Sequence, residues 1–206
     1  MIPKIIPSIA SANQLFLADE LARLGDQYES LHIDIEDGNF IPNITFGMRT
    51  IRKLREVSSK PFSVHLMVTN PEDYLTDLAS LNCSHIFIHV ENAVYLLNML
   101  NTIKKFGIKA GLALNPISNL RDYEYLLPDV DAILYMSSEP DTYGDILNPR
   151  VIEKIMPKKG LDYEIWVDGG VKRKHLPLLS EKNVDYAVMG RELFNNDPTA
   201  ILNQFN

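Results

Sequence analysis

The feature that most constrains the fold is a series of eight short apolar runs, rich in β-branched and aromatic residues, that are spaced along the whole chain. Between them lie segments in which apolar residues recur every three or four positions, the period of an amphipathic helix. Strands that alternate with helices are parallel and are joined by crossover helices. Eight such units close a (β/α)8 TIM barrel, and an open doubly wound sheet is the alternative. The runs are KIIPSIA, SLHIDI, FSVHLMV, HIFIHV, KAGLAL, DAILYM, YEIWV and DYAVMG, and the helical segments include 12–28, 48–57, 71–81, 92–106 and 191–205.

Length and composition favour a single domain, residues 1–206, because 46% of the residues are apolar and can form one large core. The formal charge of −7 argues against nucleic acid and anionic membranes as partners. The N-terminus MIPKIIPSIASAN predicts neither a signal peptide nor a spanning helix, so a cytoplasmic protein is expected. The lone Cys83 has no partner for an internal disulfide and is expected in the core. Association into a homo-oligomer is left open.

A polar cluster is predicted at the carboxyl ends of the strands, where barrels of this kind carry their active sites. Alternate residues of a strand share one side, so His32, Asp34 and Glu36 project together, into the barrel if the two intervening isoleucines face the helices. His65 and Asp168 end two other strands. Two imidazoles and two carboxylates that converge form a ligand set that zinc, iron(II) or manganese accepts. A single histidine in an apolar strand is more often a core residue, so the prediction depends on the convergence.

Four motifs, PSIASAN, LHIDIEDGNFIPNITFG, VHLMV and VDGG, occur in the same order and at similar spacing as in the ribulose-phosphate 3-epimerase family, which the chain resembles from Ile6 to about Phe194. The resemblance implies a (β/α)8 barrel and a metal-dependent isomerase that inverts the carbinol carbon next to a ketose carbonyl. The implied substrate is a phosphosugar, either ribulose 5-phosphate and xylulose 5-phosphate or a related pentulose or hexulose phosphate. The implied cofactor is one divalent ion, which is zinc, iron(II), manganese or cobalt.

The resemblance also implies roles for individual residues. The family's acid/base pair matches Asp34 and Asp168, and two such groups are needed because one proton leaves C3 on one face and another arrives on the opposite face. A bound divalent ion would stabilise the negative charge of the enediolate between the transfers. The matching metal ligands are His32, Asp34, His65 and Asp168, and the matching substrate contacts include Ser8, His65, Met67 and Met136. For Ser8 the alternative role is to cap the following helix, and for the two methionines it is plain packing.

The chain departs from the family pattern at three places, which together indicate a substrate other than ribulose 5-phosphate. The segments IEDGNFIPNITFG, SEPD and GRELF also resemble a divergent bacterial branch of the family. Glu36 stands where the motif DxMDG has methionine, and we expect its carboxylate to contact a substrate hydroxyl and narrow the substrate range. The phosphate loop EPGFGGQ reads EPDTYGD, in which Asp141 and Asp145 oppose a phosphate. GRE replaces GSA, and Arg191 pairs either with a phosphate or with an acid such as Glu192. In the first case it would act with the amides of Gly169, Gly170 and Gly190.

The remaining histidines are not predicted to be metal ligands, and two functions other than epimerisation are considered. His89 and Glu91 match the family's HxE after the fourth strand, where a supporting role is expected rather than metal ligation. His85 and His175 are expected at the surface. A barrel decarboxylase or lyase would require a lysine in the pattern DxKxxD, where this chain has HIDIED. A non-catalytic sugar-phosphate-binding barrel is the other alternative, although binding alone does not require an acid/base pair.

Overall fold

The structure, a computed structural model, describes residues 1–92, 94–139, 146–158 and 160–205 of the chain. The strands are β1 (Lys4–Pro7), β2 (Leu31–Glu36), β3 (Phe62–Met67), β4 (Cys83–His89), β5 (Lys109–Leu114), β6 (Ala132–Met136), β7 (Glu164–Asp168) and β8 (Tyr186–Met189). They form one parallel sheet in the order β1-β8-β7-β6-β5-β4-β3-β2. A parallel bridge between Ser8 and His32 joins β1 to β2, so the sheet curls into a nearly closed barrel. The predicted (β/α)8 TIM barrel is confirmed.

Helices alternate with the strands, as the periodicity predicts. They are α1 (Leu17–Leu24), α2 (Met48–Val57), α3 (Glu72–Ala79), α4 (Leu96–Lys105), α5 (Pro149–Glu153), α6 (Leu176–Glu181), α7 (Arg191–Phe194) and α8 (Pro198–Phe205). A 3₁₀ helix, Leu120–Asp129, takes the place of an α-helix between β5 and β6. The segment predicted as one helix over 191–205 is divided because Pro198 has no N–H for a continuing helix. Asp197 Oδ1 accepts a hydrogen bond from the Ala200 amide at 3.1 Å and begins α8 instead.

The core has two layers, one between the strands and the helices and one inside the barrel. Ile33 and Ile35 belong to the outer layer, together with Ile51 and Leu54 of α2. Ile6, Phe87, Ala113, Ala132, Leu134, Met136, Trp166 and Val188 fill the interior. Since alternate residues of a strand point to opposite sides, the outward isoleucines place their β2 neighbours inside the barrel. This agrees with the predicted orientation of the polar residues of β2.

The amino end of the barrel contains a polar network around Glu164. Its carboxylate contacts His85 Nε2 at 2.8 Å, Trp166 Nε1 at 3.0 Å and the ammonium of Lys109. The expectation that His85 lies at the surface is wrong, because this residue is only 6% exposed. The His85 ring stacks on Phe87 with an interplanar angle of 4°, which holds His85 inside the amino end of the barrel.

Two further expectations concern side chains near the edge of the core. Cys83 is half-buried, and its thiol contacts the Leu78 carbonyl at 3.3 Å. Burial raises the pKa of this thiol to about 12. His175 is also half-buried rather than fully exposed, and its Nδ1 accepts a hydrogen bond from the Lys172 amide at 3.1 Å. In the described parts of the chain, no helix is long and apolar enough to cross a membrane.

Candidate active site

Four side chains from three strands converge on one point. His32 and Asp34 come from β2, His65 from β3 and Asp168 from β7, and one ligand atom of each lies within 4.8 Å of the others. His32 Nε2 is 3.4 Å from Asp34 Oδ1 and 3.9 Å from Asp168 Oδ2. His65 Nδ1 lies 3.3 and 3.8 Å from the same two oxygens. The structure thus brings together the four residues that were predicted as metal ligands.

The donor atoms of this cluster fit a divalent metal ion. Three of them, His32 Nε2, Asp34 Oδ1 and His65 Nδ1, are buried and have no hydrogen-bond partner among the described residues. Leaving a buried polar atom unpartnered costs on the order of 1–3 kcal/mol, so three such atoms around one point indicate a binding site. Zinc bonds of about 2.0–2.2 Å would place neighbouring donors roughly 3–4 Å apart, which matches the four distances above. Two imidazoles and two carboxylates suit zinc, iron(II), manganese or cobalt.

A hydroxyl chain orients the ring of His32. His32 Nδ1 lies 3.1 Å from Ser63 Oγ, which in turn lies 3.3 Å from Ser30 Oγ and 3.5 Å from the Leu31 carbonyl. If the Ser63 hydroxyl donates to this carbonyl, it accepts from His32 Nδ1–H, which leaves Nε2 unprotonated in the neutral ring. The free lone pair of His32 then points at the cluster.

A second chain reaches His65 from β4. His65 Nε2 lies 2.8 Å from His89 Nε2, and His89 Nδ1 lies 2.8 Å from Glu91 Oε2. All of these groups except the Glu91 carboxylate are almost completely buried. Phe40, from the loop after β2, packs on the His89 ring at 4.8 Å. His89 therefore contacts a predicted ligand rather than joining the cluster, as the sequence predicts.

Asp34 is held in its ionised form. Although burial opposes its charge, His32 and His65 keep the pKa of Asp34 far below its ordinary range. Ser8 Oγ donates a 2.6 Å hydrogen bond to Asp34 Oδ2, and Thr45 Oγ1 donates to the Asp34 carbonyl. These two hydrogen bonds hold the backbone carbonyl and the Oδ2 atom of Asp34 in place, which leaves Oδ1 directed at the cluster.

The two imidazoles of the cluster differ in their electrostatic environment. Burial disfavours the imidazolium form of both, but the carboxylates of Asp34 and Asp168 raise the pKa of His32 above its ordinary value. Burial has the larger effect on His65 and lowers the pKa of this residue to about 4. His65 is therefore neutral at pH 7, as a metal ligand must be.

The cluster lies at the base of a cleft of about 710 Å³. The cleft is lined by every residue predicted to contact substrate except His65, whose side chain is fully buried in the cluster. Ser8 is among the lining residues, and its contact with Asp34 gives it a position in the site rather than a helix-capping hydrogen bond. The predicted lining residues are Ser8, Glu36, Met67, Met136, Gly169, Gly170, Gly190 and Arg191.

Glu36 extends into the cleft beyond Asp34 on the same strand. Its Oε2 accepts a 2.7 Å hydrogen bond from Asn43 Nδ2, and its amide donates a 3.1 Å hydrogen bond to Thr45 Oγ1. The residue is 7% exposed. The loop after β2 therefore holds a buried carboxylate beside the cluster.

The rim of the cleft, formed by the loops after β7 and β8, combines glycines with cationic side chains. Gly169 has φ of +99°, and a Cβ there would lie 2.5 Å from Ser138 Oγ, so only glycine fits between the two loops. Arg191 begins α7 and lines the same rim. Glu192, the acid considered as its alternative partner, accepts a 2.8 Å hydrogen bond from Arg173 Nε. The altered loop residues Asp141 and Asp145 lie outside the described residues.

Asn43, Thr45 and Lys172 are among the cleft-lining residues that sequence reasoning missed. Lys172 follows VDGG by two positions, and this spacing was a signal for a second cation at the rim. Asn43 and Thr45 lie within the motif NITFG, but their contacts depend on how the loop folds back onto β2. The motif alone therefore gave no reason to pair Asn43 with Glu36.

Comparison with known proteins identifies the family. The pattern of the Ribulose-phosphate 3 epimerase family matches residues 4–194. The chain belongs to this family. Ribulose-phosphate 3-epimerase from Synechocystis is 36% identical over 200 residues, which cover 93% of this chain and 87% of that protein. The Bacillus subtilis ribulose-phosphate 3-epimerase is 32% identical over 93% of this chain and 92% of its own.

Membership of the ribulose-phosphate 3-epimerase family confirms the prediction of an isomerase of the carbohydrate-epimerase type. Solved structures with low sequence identity show the fold only. KGPDC from Streptococcus mutans has a TM-score of 0.74 at 12% identity, over 100% of this chain and 96% of that chain. A mutant tryptophan synthase α-subunit from Pyrococcus furiosus has a TM-score of 0.71 at 14% identity, over 100% of this chain and 97% of that chain.

Proposed function

We propose that this member of the family is a metal-dependent 3-epimerase of a ketose phosphate. The observation that carries the proposal is the convergence of three unpartnered, buried donor atoms, with the Asp168 carboxylate beside them, at the base of a cleft. His32, Asp34, His65 and Asp168 would hold one ion, which is zinc, iron(II), manganese or cobalt. When bound, this ion supplies electrostatic stabilisation of the negative charge that develops on the substrate enediolate.

Asp34 and Asp168 are the proposed acid/base pair. Inversion at C3 requires one group to remove a proton from one face and another to deliver a proton to the opposite face. These carboxylates line the cleft and come from β2 and β7, which β1 and β8 separate in the barrel. The low pKa of Asp34 keeps its carboxylate ionised, as a base must be before it removes a proton, and Ser8 keeps this carboxylate oriented. Which aspartate serves as the base depends on the substrate epimer.

The walls and rim of the cleft have complementary roles. Met67 and Met136 are almost completely buried and would pack against the planar intermediate and exclude water. At the rim, the amides of Gly169, Gly170 and Gly190 would bind the phosphate with Arg191. Lys172 adds a second positive charge on the same side of the cleft. Glu36 would accept a hydrogen bond from a sugar hydroxyl, in place of the methionine of the family motif.

The proposal is tested by NMR spectroscopy of a panel of ketose phosphates mixed with protein that has been stripped with a chelator and reloaded with single metals. Wild-type protein should interconvert one pair of C3 epimers, and Asp34→Asn or Asp168→Asn should each lower kcat by roughly 10²–10⁴-fold. Asp77→Asn, which removes a surface carboxylate of α3 that pairs with Arg52, is the matched control. Full activity in Asp168→Asn would contradict the acid/base assignment. Binding of a ketose phosphate without turnover would favour a sugar-phosphate sensor.

A further inference from the structure

Behind the cluster, a line of hydrogen bonds runs from His65 to the loop after β5. Glu91 Oε2 contacts His89 Nδ1 at 2.8 Å. The other oxygen of Glu91, Oε1, accepts hydrogen bonds from the backbone N–H of Asn115 at 2.8 Å and from the Ser118 hydroxyl. Although burial opposes its charge, these hydrogen bonds and His89 lower the pKa of Glu91. Glu91 is therefore an ionised carboxylate that only accepts hydrogen bonds.

The contact between the two imidazoles has the geometry of an N–H···N hydrogen bond. Their Nε2 atoms are 2.8 Å apart, whereas the ring centroids are 4.9 Å apart and the planes differ by 23°. The rings of His65 and His89 thus meet edge to edge and nearly in one plane, with a single proton between the two nitrogens. Phe40 packs on the His89 ring and limits its rotation.

Donors and acceptors along this line can alternate in only one way if both rings are neutral. The Glu91 carboxylate accepts, so His89 Nδ1 must carry the proton of its ring and His89 Nε2 must accept. His65 Nε2 must then donate, which leaves His65 Nδ1 without a proton. This is the atom that faces the cluster without a hydrogen-bond partner among the described residues.

We propose that Glu91 is a positioning residue that, through His89, fixes the ring tautomer of His65 and so presents an unprotonated Nδ1 to the divalent ion. This inference rests on the metal site of the proposed function. It gives the loops after β4 and β5 a role in metal affinity, although no described residue of either loop belongs to the cluster. It also explains why a carboxylate is present two residues beyond the end of β4, where His89 alone could not select its tautomer.

The substitution Glu91→Gln is a direct test because it reverses the order of hydrogen-bond donors and acceptors between residue 91 and His65. The glutamine oxygen should face the two donors, the Asn115 amide and the Ser118 hydroxyl, so its NH₂ group faces His89 Nδ1. His89 must then accept at Nδ1 and donate from Nε2, and His65 Nε2 must accept. The proton of His65 consequently moves to Nδ1, the atom needed by the metal.

Two measurements follow the tautomer and its consequence. Long-range ¹H–¹⁵N spectra of metal-free protein at pH 7 should show a protonated His65 Nε2 in the wild type and a protonated Nδ1 in Glu91→Gln. The affinity for Co²⁺, measured by visible absorption in competition with a chelator, should fall on the order of 10- to 100-fold in this variant. Glu29→Gln, at the amino end of the barrel, is the matched control and should change neither quantity. Thermal unfolding of the metal-free proteins checks that the variants fold.

A double-mutant cycle separates this role from a general loosening of the loop. His89→Phe removes the connection, so adding Glu91→Gln to it should cause no further loss of Co²⁺ affinity. An equal loss in both backgrounds, or an unchanged His65 tautomer in Glu91→Gln, would overturn the proposal. Failure of the wild type to bind Co²⁺ would instead contradict the metal site of the proposed function. In that case the ring tautomer of His65 in Glu91→Gln would still show whether Glu91 acts on His65 through His89.

Discussion

Glu36 is the residue at which the site differs most clearly in charge from the family motif. Its carboxylate lines the cleft and is held by Asn43 Nδ2 at 2.7 Å. A hydrogen bond to a charged group contributes about 1.5–3 kcal/mol, so a substrate hydroxyl that reaches Glu36 would be selected strongly. We therefore propose that this single change in the motif affects the choice of sugar.

We predict that Glu36→Met raises activity on ribulose 5-phosphate and lowers kcat/KM for the preferred ketose phosphate by roughly 10- to 100-fold. The reason is that methionine removes the hydrogen bond and the negative charge together. Glu36→Gln, which keeps the shape, separates the two effects. The measurement is kcat/KM across the substrate panel, and unchanged values for every ketose phosphate would refute the role of Glu36.

Arg191 provides a second prediction for a single residue. If its guanidinium binds the phosphate, Arg191→Met should raise KM for the phosphorylated ketose by about tenfold or more and change kcat less. The unphosphorylated ketose is the control, because its weak turnover should not respond to the substitution. An equal effect on both sugars would mean that Arg191 supports the fold of the rim rather than the phosphate.

At the scale of the elements, the period of apolar residues predicted the strands and most helices from the sequence. The same alternation predicted that His32 and Asp34 face inward, and the positions of Ile33 and Ile35 in the outer layer of the core agree with it. Contacts between elements could not be predicted in this way. The bonds of Ser63 to His32 and of Asn43 to Glu36 depend on strand register and on loop conformation, which no local pattern encodes.

The packing of β5 leads to a prediction about an element. Gly111 lies beside Phe87 of β4, and a Cβ at this position would come within 2.3 Å of the phenyl ring. Gly111→Ala should therefore overpack the barrel and lower the free energy of unfolding by about 1–3 kcal/mol. Gly47→Ala is the control, since a Cβ there meets no atom within 4 Å. Urea unfolding measures both, and equal stability of the two variants would contradict this packing.

At the scale of the whole molecule, buried charged residues lie at both ends of the barrel. Those at one end form the candidate active site, and those at the other end form a structural network. The carboxyl end holds the cluster of histidines and aspartates, whereas the amino end is closed by Glu164 with its hydrogen-bonded neighbours. Burial opposes the charge of Glu164, but contacts with His85, Lys109 and Trp166 lower its pKa to about 2. The sequence predicted the cluster because the motifs mark it, but it did not predict this network, since no motif joins residues of β4, β5 and β7.

The Glu164 network predicts a pH dependence of stability. Because the folded pKa lies below the ordinary value of 4.5, the stabilisation is complete above about pH 4.5 and is lost as the pH falls towards 2. Glu164→Gln should therefore be less stable than the wild type by roughly 1–3 kcal/mol at pH 7, with a smaller difference at pH 3. Urea unfolding at both values measures this, with the exposed Glu181→Gln as control. A difference that is independent of pH would exclude ionisation as its cause.

Proton exchange with solvent tests the proposed two-base epimerisation most directly. Metal-loaded wild-type protein in ²H₂O should transfer deuterium to C3 of the ketose phosphate that it epimerises, and to no other carbon. Asp34→Asn and Asp168→Asn should each slow the interconversion of the two epimers by roughly 10²–10⁴-fold. Epimerisation without deuterium at C3, or deuterium at C1 instead, would contradict the account in which two aspartates exchange protons on opposite faces of C3.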